Sequence, residues 1–463
     1  MNRKPTKQLV KGIGRAIGPD KIETSPEVLT CYAFDATNIR HLPLAVTFPQ
    51  TAQEVQAIVG LCLDAGVPVI PRGAGTGFAG GTVPLCGGVV VSTERLARIL
   101  SIDRDRGLTF LEPGVVNATL QNEAAKAGLM FPPDPSSLEV CTLGGNVAQD
   151  AGGPRALKYG VTRDYVLGVD AILPSGRLVE CDESLVDSGA WDPITTLLVG
   201  SEGTLGIITR ICLRLRARPE SLATALAFFK TTRDAAAAVN LVFERGVLPA
   251  ALELVDSETM DCIAKFIKIE TPPSGGCSLL IETDGKLGEA QETMSEVEAA
   301  LKGASVVEIK VARSEEERQE LWRMRRSVSP SLARIAPWKI NEDVCVPRSN
   351  LPLLVDAVTR LSAKYGLRLP TFGHAGDGNM HVNVMFDPKD RDQVRRAEAL
   401  VADLFESTLR LAGSISGEHG IGFTKMQFLP TQLGPDVLSL ERRIKQAFDP
   451  QALVNPGKVV DLV

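Results

Sequence analysis

The chain has four histidines, His41, His374, His381 and His419, and three of them fall in two short glycine-rich motifs. The motifs are Gly373-His-Ala-Gly-Asp-Gly-Asn-Met-His381 and Ser414-Ile-Ser-Gly-Glu418-His419-Gly420. Random placement along 463 residues would not favour that clustering. The Gly-Asp-Gly-Asn segment between His374 and His381 reads as a turn, with strands over 367–371 and 380–385 on either side. Such a hairpin carries both imidazoles to one end of a sheet. With Glu418 they make a set of two histidines and a carboxylate with an open position, the layout of a catalytic metal site. A plainer reading is a tight turn whose histidines bond to backbone. The second glycine-rich loop, with Glu418 beside His419, favours a site. His41 lies in a proline-flanked segment and reads as structural.

A second candidate comes from helical geometry. Ser314-Glu-Glu-Glu317 is a capping box, and Arg323, Arg325 and Arg326 complement the end of the helix it starts. A solvated charged helix would look the same. Yet at ~100° per residue Arg325 falls between Leu321 and Trp322, on the apolar side. A guanidinium there needs an anionic partner, and a substrate carboxylate bound bidentate would serve.

Glycine clusters carry the rest of the chemistry. Gly75-Thr-Gly77-Phe-Ala-Gly80 matches G-x-G-x-x-G and follows a short strand over Val67–Ile70. A dinucleotide fold of the Rossmann kind needs a helix immediately afterwards. Here Thr82-Val-Pro84 and Gly87-Gly88 intervene, and Val89–Ser92 reads as a strand, so that reading fails. The Walker reading fails too, because no Gly-Lys-Ser/Thr follows. What survives is either a tight turn that needs positive φ angles or a nest of backbone N–H groups for a diphosphate. Two further clusters, Pro133-Asp134-Pro-Ser-Ser137 with Gly144-Gly-Asn146, and Gly200-Ser-Glu-Gly-Thr-Leu-Gly206, point to one extended ligand threaded along several strand ends.

The elements that must position these residues follow from periodicity. Thr51-Ala-Gln-Glu54 is a capping box, followed by Val55, Ile58, Val59, Cys62 and Leu63 at helical spacing. Asn117–Lys126 reads as a helix stopped by Gly128, and Thr142–Val147 as a loop. Val169–Leu173 and Arg177–Glu180 flank a Pro-Ser-Gly turn. From Ile207 to Arg216 apolar and mixed positions alternate, which indicates a sheet with one wet face. After Arg218-Pro219 strands and helices alternate: strands at 222–229, 250–255, 277–283 and 305–310, helices at 231–245, 256–269 and 286–302. That is an α+β layer, antiparallel strands with helices on one face. Helices return at 349–364 and 388–411, and Thr271-Pro-Pro-Ser-Gly-Gly276 is a loop. The expected divisions are a helical lead-in over 1–37, domains over 38–218 and 219–412, and a tail over 413–463 that ends in Asn455-Pro-Gly-Lys458.

Composition excludes several classes. Lys and Arg number 50 against 56 Asp and Glu, a net charge of −6, which rules against a dedicated nucleic-acid binder with its cationic footprint. The nine cysteines contain no C-x-x-C pair, which excludes zinc ribbons, thioredoxin-like motifs and ferredoxin-type clusters. Scattered single thiols fit a reduced, cytoplasmic protein. No run of about 18 apolar residues occurs, so no transmembrane segment is expected. The N-terminus carries no apolar stretch of signal-sequence length. A peripheral membrane contact through a partner stays open.

PRGAGTGFAGG, PPDPSS, GGNVAQDAGG, YG and GSEGTLGIIT together resemble the FAD-binding domain of the vanillyl-alcohol oxidase / p-cresol methylhydroxylase (PCMH) superfamily. The likeness is greatest to the branch of the glycolate oxidase FAD subunit, D-lactate dehydrogenase and D-2-hydroxyglutarate dehydrogenase, and it runs from about residue 38 to Lys458. It implies an α+β fold: a two-part PCMH-type FAD-binding domain, an α/β cap domain for the substrate with an antiparallel sheet, and a C-terminal segment that returns to the FAD domain. Pro71, Arg72, Gly73, Ala74, Gly75, Thr76 and Gly77 would wrap the pyrophosphate of FAD. Pro133, Asp134, Ser137, Gly144, Gly145, Asn146, Gly153, Tyr159 and Gly160 would line the cofactor further along. Glu202, Gly203, Gly206 and Ile208 would complete it, and Asn455 would return to it. Some relatives tether the flavin through a histidine of the first glycine loop; this loop has none, so the expected FAD is non-covalent.

In that branch the two histidines and the glutamate bind a divalent metal, commonly zinc, and the next histidine is the base. The resemblance therefore implies His374, His381 and Glu418 as ligands and His419 as base. It also puts Asn383, Arg325, Ser329 and Lys339, with Asn341 as rival to Lys339, against the substrate. The implied activity is oxidation of a (D-)2-hydroxy acid to the 2-oxo acid. Electrons would pass to an external acceptor: oxygen, a quinone, a cytochrome, an electron-transfer flavoprotein or an iron–sulfur subunit. A homodimer and a place in a multi-subunit complex are both compatible with it. Three alternatives stand beside this reading: a zinc hydrolase using the His₂-Glu set, a non-catalytic flavin-binding module, and a non-redox flavoenzyme like alkyl-dihydroxyacetone-phosphate synthase. The GHAGDGNMH motif argues for the hydroxyacid branch.

Overall fold

The computed structural model describes residues 3–188, 192–268 and 276–460. The loop expected at Thr271–Gly276 lies outside the described residues except for Gly276. Two compact units result: one comprises Met1–Gly152, Val161–Arg218 and His419–Val463, the other Gly153–Gly160 and Pro219–Glu418.

The first unit holds two main sheets. In one, Ala45–Thr47, Val89–Ser92 and Val69–Arg72 run parallel, and Ile22–Glu23 adds an antiparallel edge. Its helix Ala52–Asp64 starts where expected: the Thr51 side chain accepts from the Glu54 N–H. The Glu54 carboxylate accepts from the N–H of Gln50, one residue before the cap. The buried face of that helix, Val55, Ile58, Val59 and Cys62, shares a core with Leu9, Ile13 and Ile17 of helix Arg3–Ile17. The other sheet is antiparallel, in the order Ile99–Asp103, Leu108–Leu111, Ile207–Arg214, Val166–Ile172, Leu178–Val179. No helix separates Val69–Arg72 from Val89–Ser92, the context that excluded a Rossmann loop.

Two expectations for this unit fail for identifiable reasons. Residues 143–149 form a helix instead of a loop; the Thr142 hydroxyl caps it by accepting from the Gly145 N–H. Gly144 lets the helix press onto Pro113, whose Cβ would be 2.5 Å from an added Cβ. The strand Ile207–Arg214 has no wet face, because Ile208 and Cys212 are both buried. A bulge at Thr209 breaks the alternation: Ile208 pairs with Ala171 and Arg210 with the next residue, Asp170. Ile211 and Leu213 therefore share a core with Ile208, not with Ile207.

The second unit is built on a seven-stranded antiparallel sheet. Its order is Val306–Val311, Ser221–Phe229, Cys277–Gly285, Ala251–Val255, Thr371–His374, Asn379–Phe386, Trp338–Cys345. Helices Thr232–Glu244, Glu289–Leu301, Leu351–Tyr365 and Arg391–Arg410 form a contiguous layer on one face. The expectation of helices on one face alone is corrected. Helices Ser257–Ile267, Glu315–Arg326 and Val328–Leu332 pack on the other, around Trp322, Met324, Val328 and Leu332. The two faces alternate along Cys277–Gly285. Thr283 bonds to the carbonyl of Ala290 in the first layer, whereas Glu282 accepts from Trp322 in the second. Among the described residues no helix is long and apolar enough to cross a membrane.

Candidate active site

The face under helix Glu315–Arg326 carries a polar strip through an apolar sheet. Antiparallel partners share a face. Glu253 pairs with His374, His374 with Asn379, Phe372 with His381, His381 with Asp343, and Asn383 with Asn341. All of these side chains therefore issue from one side of the sheet. The first strand of the histidine hairpin is Thr371–His374, a few residues later than its apolar pattern suggested, and the second is Asn379–Phe386. The turn between them depends on Gly378, where φ is +86° and a Cβ would lie 2.0 Å from the Val346 carbonyl oxygen. The result makes His374 and His381 diagonal neighbours, their rings 5.2 Å apart edge to face.

Glu418 completes the set. Its Oε1 lies 3.1 Å from His374 Nε2 and 3.4 Å from His381 Nε2. One donor atom from each of the three residues falls within 4.8 Å of the others. His374 is held from behind as well: Nδ1 is 2.7 Å from Glu253 Oε1. An ionised carboxylate only accepts, so Nδ1 carries a hydrogen; Nε2 faces Glu418 Oε1 and would turn its lone pair to a cation bound between them. That is the carboxylate–histidine–metal arrangement, and the donor set fits a divalent ion. Burial works against a charged His374, but Glu253 and Glu418 outweigh it and raise its pKa well above the ordinary value. Burial would push Glu253 up; His374 and Arg325 reverse that and hold its carboxyl below the usual range.

The loop that presents Glu418 is tied by Asp343. This buried carboxylate accepts from the N–H groups of Gly417 at 2.8 Å and Glu418 at 2.5 Å. Neither Glu253 nor Asp343 was singled out from the sequence, nor was Glu282. The signal was available: each is a carboxylate in or beside an apolar run, Ala251-Leu-Glu-Leu-Val, Leu279-Leu-Ile-Glu and Asn341-Glu-Asp-Val. A carboxylate inside a buried strand requires a partner.

Arg325 is buried, as its helical position predicts, but its anionic partner is internal. Nε donates to Glu253 Oε2 at 2.8 Å, and the guanidinium lies over the Phe372 ring at 4.9 Å. Nη2, 2.6 Å from the same oxygen, has no aligned acceptor. The buried position thus does not by itself require a substrate anion. Lys339 donates to exposed Ser329 at 3.1 Å, and burial lowers its pKa. Lys339 and Asn341 alternate on one strand and lie on the same face, so the two rivals are not exclusive. Asn383 Nδ2 donates to the carbonyls of Pro370 and His381, which leaves its buried Oδ1 without a partner; Asn341 Oδ1 is likewise buried and unpartnered.

Most of the residues expected around FAD lie in the first unit. Strand Val69–Arg72 leads into the first glycine loop, where a Cβ on Gly73 would sit 2.3 Å from Thr142 Oγ1. Gly203, at φ +69°, packs on Pro71, and a Cβ there would meet its ring at 2.8 Å. Ala74 is exposed; Gly75, Thr76 and Gly77 are half-buried. Arg72 turns back, donating to the Phe34 carbonyl at 2.8 Å and to Thr82 Oγ1 at 3.2 Å. The carbonyl of Pro133 accepts from Asn117, and that of Ser137 from the N–H groups of Val140 and Cys141; Asp134 is half-buried. Gly206 passes close to the Ile172 carbonyl, and Ile208 belongs to a hydrophobic core.

Glu202 accepts from the N–H groups of Ile421 at 2.7 Å and Gly422 at 2.8 Å, with burial raising its pKa. Asn455 donates to the carbonyls of Gly81 and Glu202, both at 2.9 Å, and accepts from Lys458 at 2.8 Å. Two buried amide atoms on helix Leu143–Gln149, Asn146 Nδ2 and Gln149 Oε1, have no partner. Orphaned amides next to a cradle of glycines fit a large polar cofactor. His419 also belongs to this unit, stacked on Phe78 at 5.0 Å. Gly153, Tyr159 and Gly160 belong to the second unit, where the Tyr159 hydroxyl donates to Asp284 Oδ2 at 2.5 Å.

Comparison with known proteins places this geometry in a family. Residues 43–182 match the family described as FAD binding domain, and residues 218–459 match FAD linked oxidases, C-terminal domain. The glycolate oxidase subunit GlcD of Bacillus subtilis is 38% identical over 455 residues, covering 98% of this chain and 97% of that protein. A D-lactate dehydrogenase of Anaerostipes hadrus is 31% identical, covering 96% of each. The 4-ethylphenol oxidase of Gulosibacter chungangensis, at 18% identity, shares the fold with a TM-score of 0.81, over 99% of this chain and 98% of that one. The first glycine loop and the sheet that carries the histidine hairpin lie within the two matched segments, and the chain belongs to the FAD-linked oxidases.

Proposed function

We propose that the chain oxidises a 2-hydroxy acid of the glycolate, D-lactate or D-2-hydroxyglutarate type to the 2-oxo acid, and that electrons leave through FAD to an external acceptor. The observation that carries the proposal is the convergence of His374, His381 and Glu418, with His374 Nδ1–H held by Glu253. A divalent cation held there, zinc in this reading, would act as a Lewis acid and lower the pKa of the substrate hydroxyl. FAD supplies the hydride acceptor for the α-carbon.

The remaining tasks fall to side chains. His419 takes the hydroxyl proton as general base, next in the chain to Glu418. Arg325 offers Nη2 to the substrate carboxylate while Nε stays on Glu253. Lys339, Asn341, Asn383 and Ser329 border the substrate on the same face or at its rim. The Oδ1 atoms of Asn341 and Asn383 can accept from a substrate hydroxyl. Atoms and electrons balance: His419 takes the O–H proton, and bound FAD would accept the C–H electron pair as hydride while the C=O bond forms. A hydrolase, which the His₂-Glu set alone would allow, is set aside by the two flavin-family matches.

The test is an anaerobic screen of hydroxy acids, both enantiomers, followed by bleaching of the flavin spectrum before and after chelation. His374→Ala is expected to abolish substrate-dependent bleaching while FAD stays bound. Normal bleaching by that variant, or by chelated protein shown to be metal-free, would remove the metal from the reaction.

A further inference from the structure

We propose that Glu253 is a positioning residue that serves the metal centre and the anion-binding arginine at once. One carboxylate fixes the His374 ring and the Arg325 guanidinium, so metal affinity and acid affinity both depend on it. The inference rests on the metal-assisted reading above.

Glu253 sits fully buried in the middle of strand Ala251–Val255, and each of its oxygens has its own client. Oε1 takes the Nδ1–H of His374 at 2.7 Å; Oε2 takes the Nε–H of Arg325 at 2.8 Å. With a cation bound, the first bond would select the tautomer whose Nε2 lone pair faces it and make the ring a better ligand. The second turns the guanidinium so that Nη2 has no aligned protein acceptor. Phe372 lies beneath this corner, its ring centroid 4.9 Å from the Arg325 guanidinium carbon and 5.1 Å from that of His381, the other histidine of the hairpin.

The neighbouring strand supplies an internal comparison. Glu282 is equally buried, and it accepts from Arg155, Arg318, Trp322 and Thr224. Two of those donors, Arg318 and Trp322, belong to the helix that carries Arg325. Docking that helix is therefore already the work of Glu282. A buried ion pair is a poor source of net stability, so a second carboxylate whose other oxygen faces a metal ligand is better explained by alignment of the site.

Glutamine keeps the shape of Glu253 but has one accepting oxygen, so it can serve one client and presents an NH₂ to the other. The experiment uses the FAD-loaded chain and Zn²⁺ in competition with a chromogenic chelator, with flavin content measured on the same samples. Glu253→Gln is expected to weaken Zn²⁺ binding by about 10- to 100-fold at unchanged flavin content, the range typical of lost outer-shell partners. At saturating metal it should also raise KM for whichever acid bleaches the flavin. Arg325→Met should raise KM and leave Zn²⁺ affinity unchanged. Glu253→Gln can unbalance the buried charge of Arg325, so the double variant Glu253→Gln/Arg325→Met, which removes both charges, is the second arm. With Arg325 gone the amide oxygen is free to face His374, so Zn²⁺ binding should recover in part yet stay below wild type, because a neutral amide is a weaker acceptor than a carboxylate. Wild-type Zn²⁺ affinity in either glutamine variant overturns the role of Glu253. Wild-type protein that takes up no Zn²⁺ overturns the metal reading itself, and the proposal with it.

Discussion

Asn455→Ala is the sharpest probe of how the cofactor cradle is held. The Asn455 amide joins three stretches of chain. Nδ2 donates to the carbonyls of Gly81, at the end of the first glycine loop, and of Glu202, while Oδ1 accepts from Lys458. All of this is buried, and the backbone of Asn455 is left-handed, at φ +48°. Two neutral hydrogen bonds contribute about 1 kcal/mol each, and the charge-assisted one about 2. Alanine in a left-handed conformation costs roughly 1 kcal/mol more. The loss should be about 4 to 5 kcal/mol, since neither the two carbonyls nor the ammonium gains access to water. Urea unfolding followed by flavin fluorescence and by circular dichroism reads both consequences: earlier flavin release and a lower midpoint for the unit. A loss below about 1 kcal/mol would mean that other contacts satisfy these groups, and that the segments are not held through this amide.

Two other perturbations have signs fixed by the structure. Asp343→Asn removes the charge from bonds to the Gly417 and Glu418 N–H groups, a loss of about 1 kcal/mol per bond. Chelator competition should then show Zn²⁺ binding weakened by roughly 10- to 50-fold, and unchanged affinity would show that the Glu418 loop is ordered without it. Half-buried Asp256 accepts from the N–H groups of Thr259 and Thr371, and desolvation pushes its pKa up to about 7. An acid that binds its proton more tightly when folded stabilises the fold below its unfolded pKa and loses that contribution as pH rises through about 7. Relative to Asp256→Asn, wild type should therefore lose about 2 to 3 kcal/mol between pH 5 and pH 7 in denaturant titrations; a constant difference would place the Asp256 pKa near its ordinary value.

Legibility in the sequence followed physical range. Local signals suffice where they stand alone: the Thr51 cap, the Ser314 cap and the alternating elements after Pro219 all form. The helix at 143–149 was missed because two glycines argue against a helix locally, whereas contact with Pro113 favours them there. The bulge at Thr209 was invisible because register is set by the partner strand. At the candidate site, His374, His381 and Glu418 could be read from spacing and residue type, and the structure gathers them. Their buried partners could not be assigned this way. Glu253 lies 121 residues from His374 in sequence, and only the sheet order makes them neighbours. Helical periodicity alone puts Arg325 inside, but the choice between an internal and an external anion needs that same strand order.

The sheet order also explains why a strip this polar can be both buried and exact. Arg318, Trp322 and Arg325 lie on one stripe of a single helix, at i, i+4 and i+7. The first two bond to Glu282 and the third to Glu253, which stand on adjacent antiparallel strands. Rotating the helix by one residue, ~100°, would withdraw all three donors together and leave two buried carboxylates short of partners, at a cost of several kcal/mol. The helix therefore has one register. Arg325 inherits that register, and His374 inherits the same origin through Glu253 Oε1. The distance between the Arg325 guanidinium and the His374 imidazole is thus set by two strands and one helix, not by loops, as the proposed site for a small acid would require.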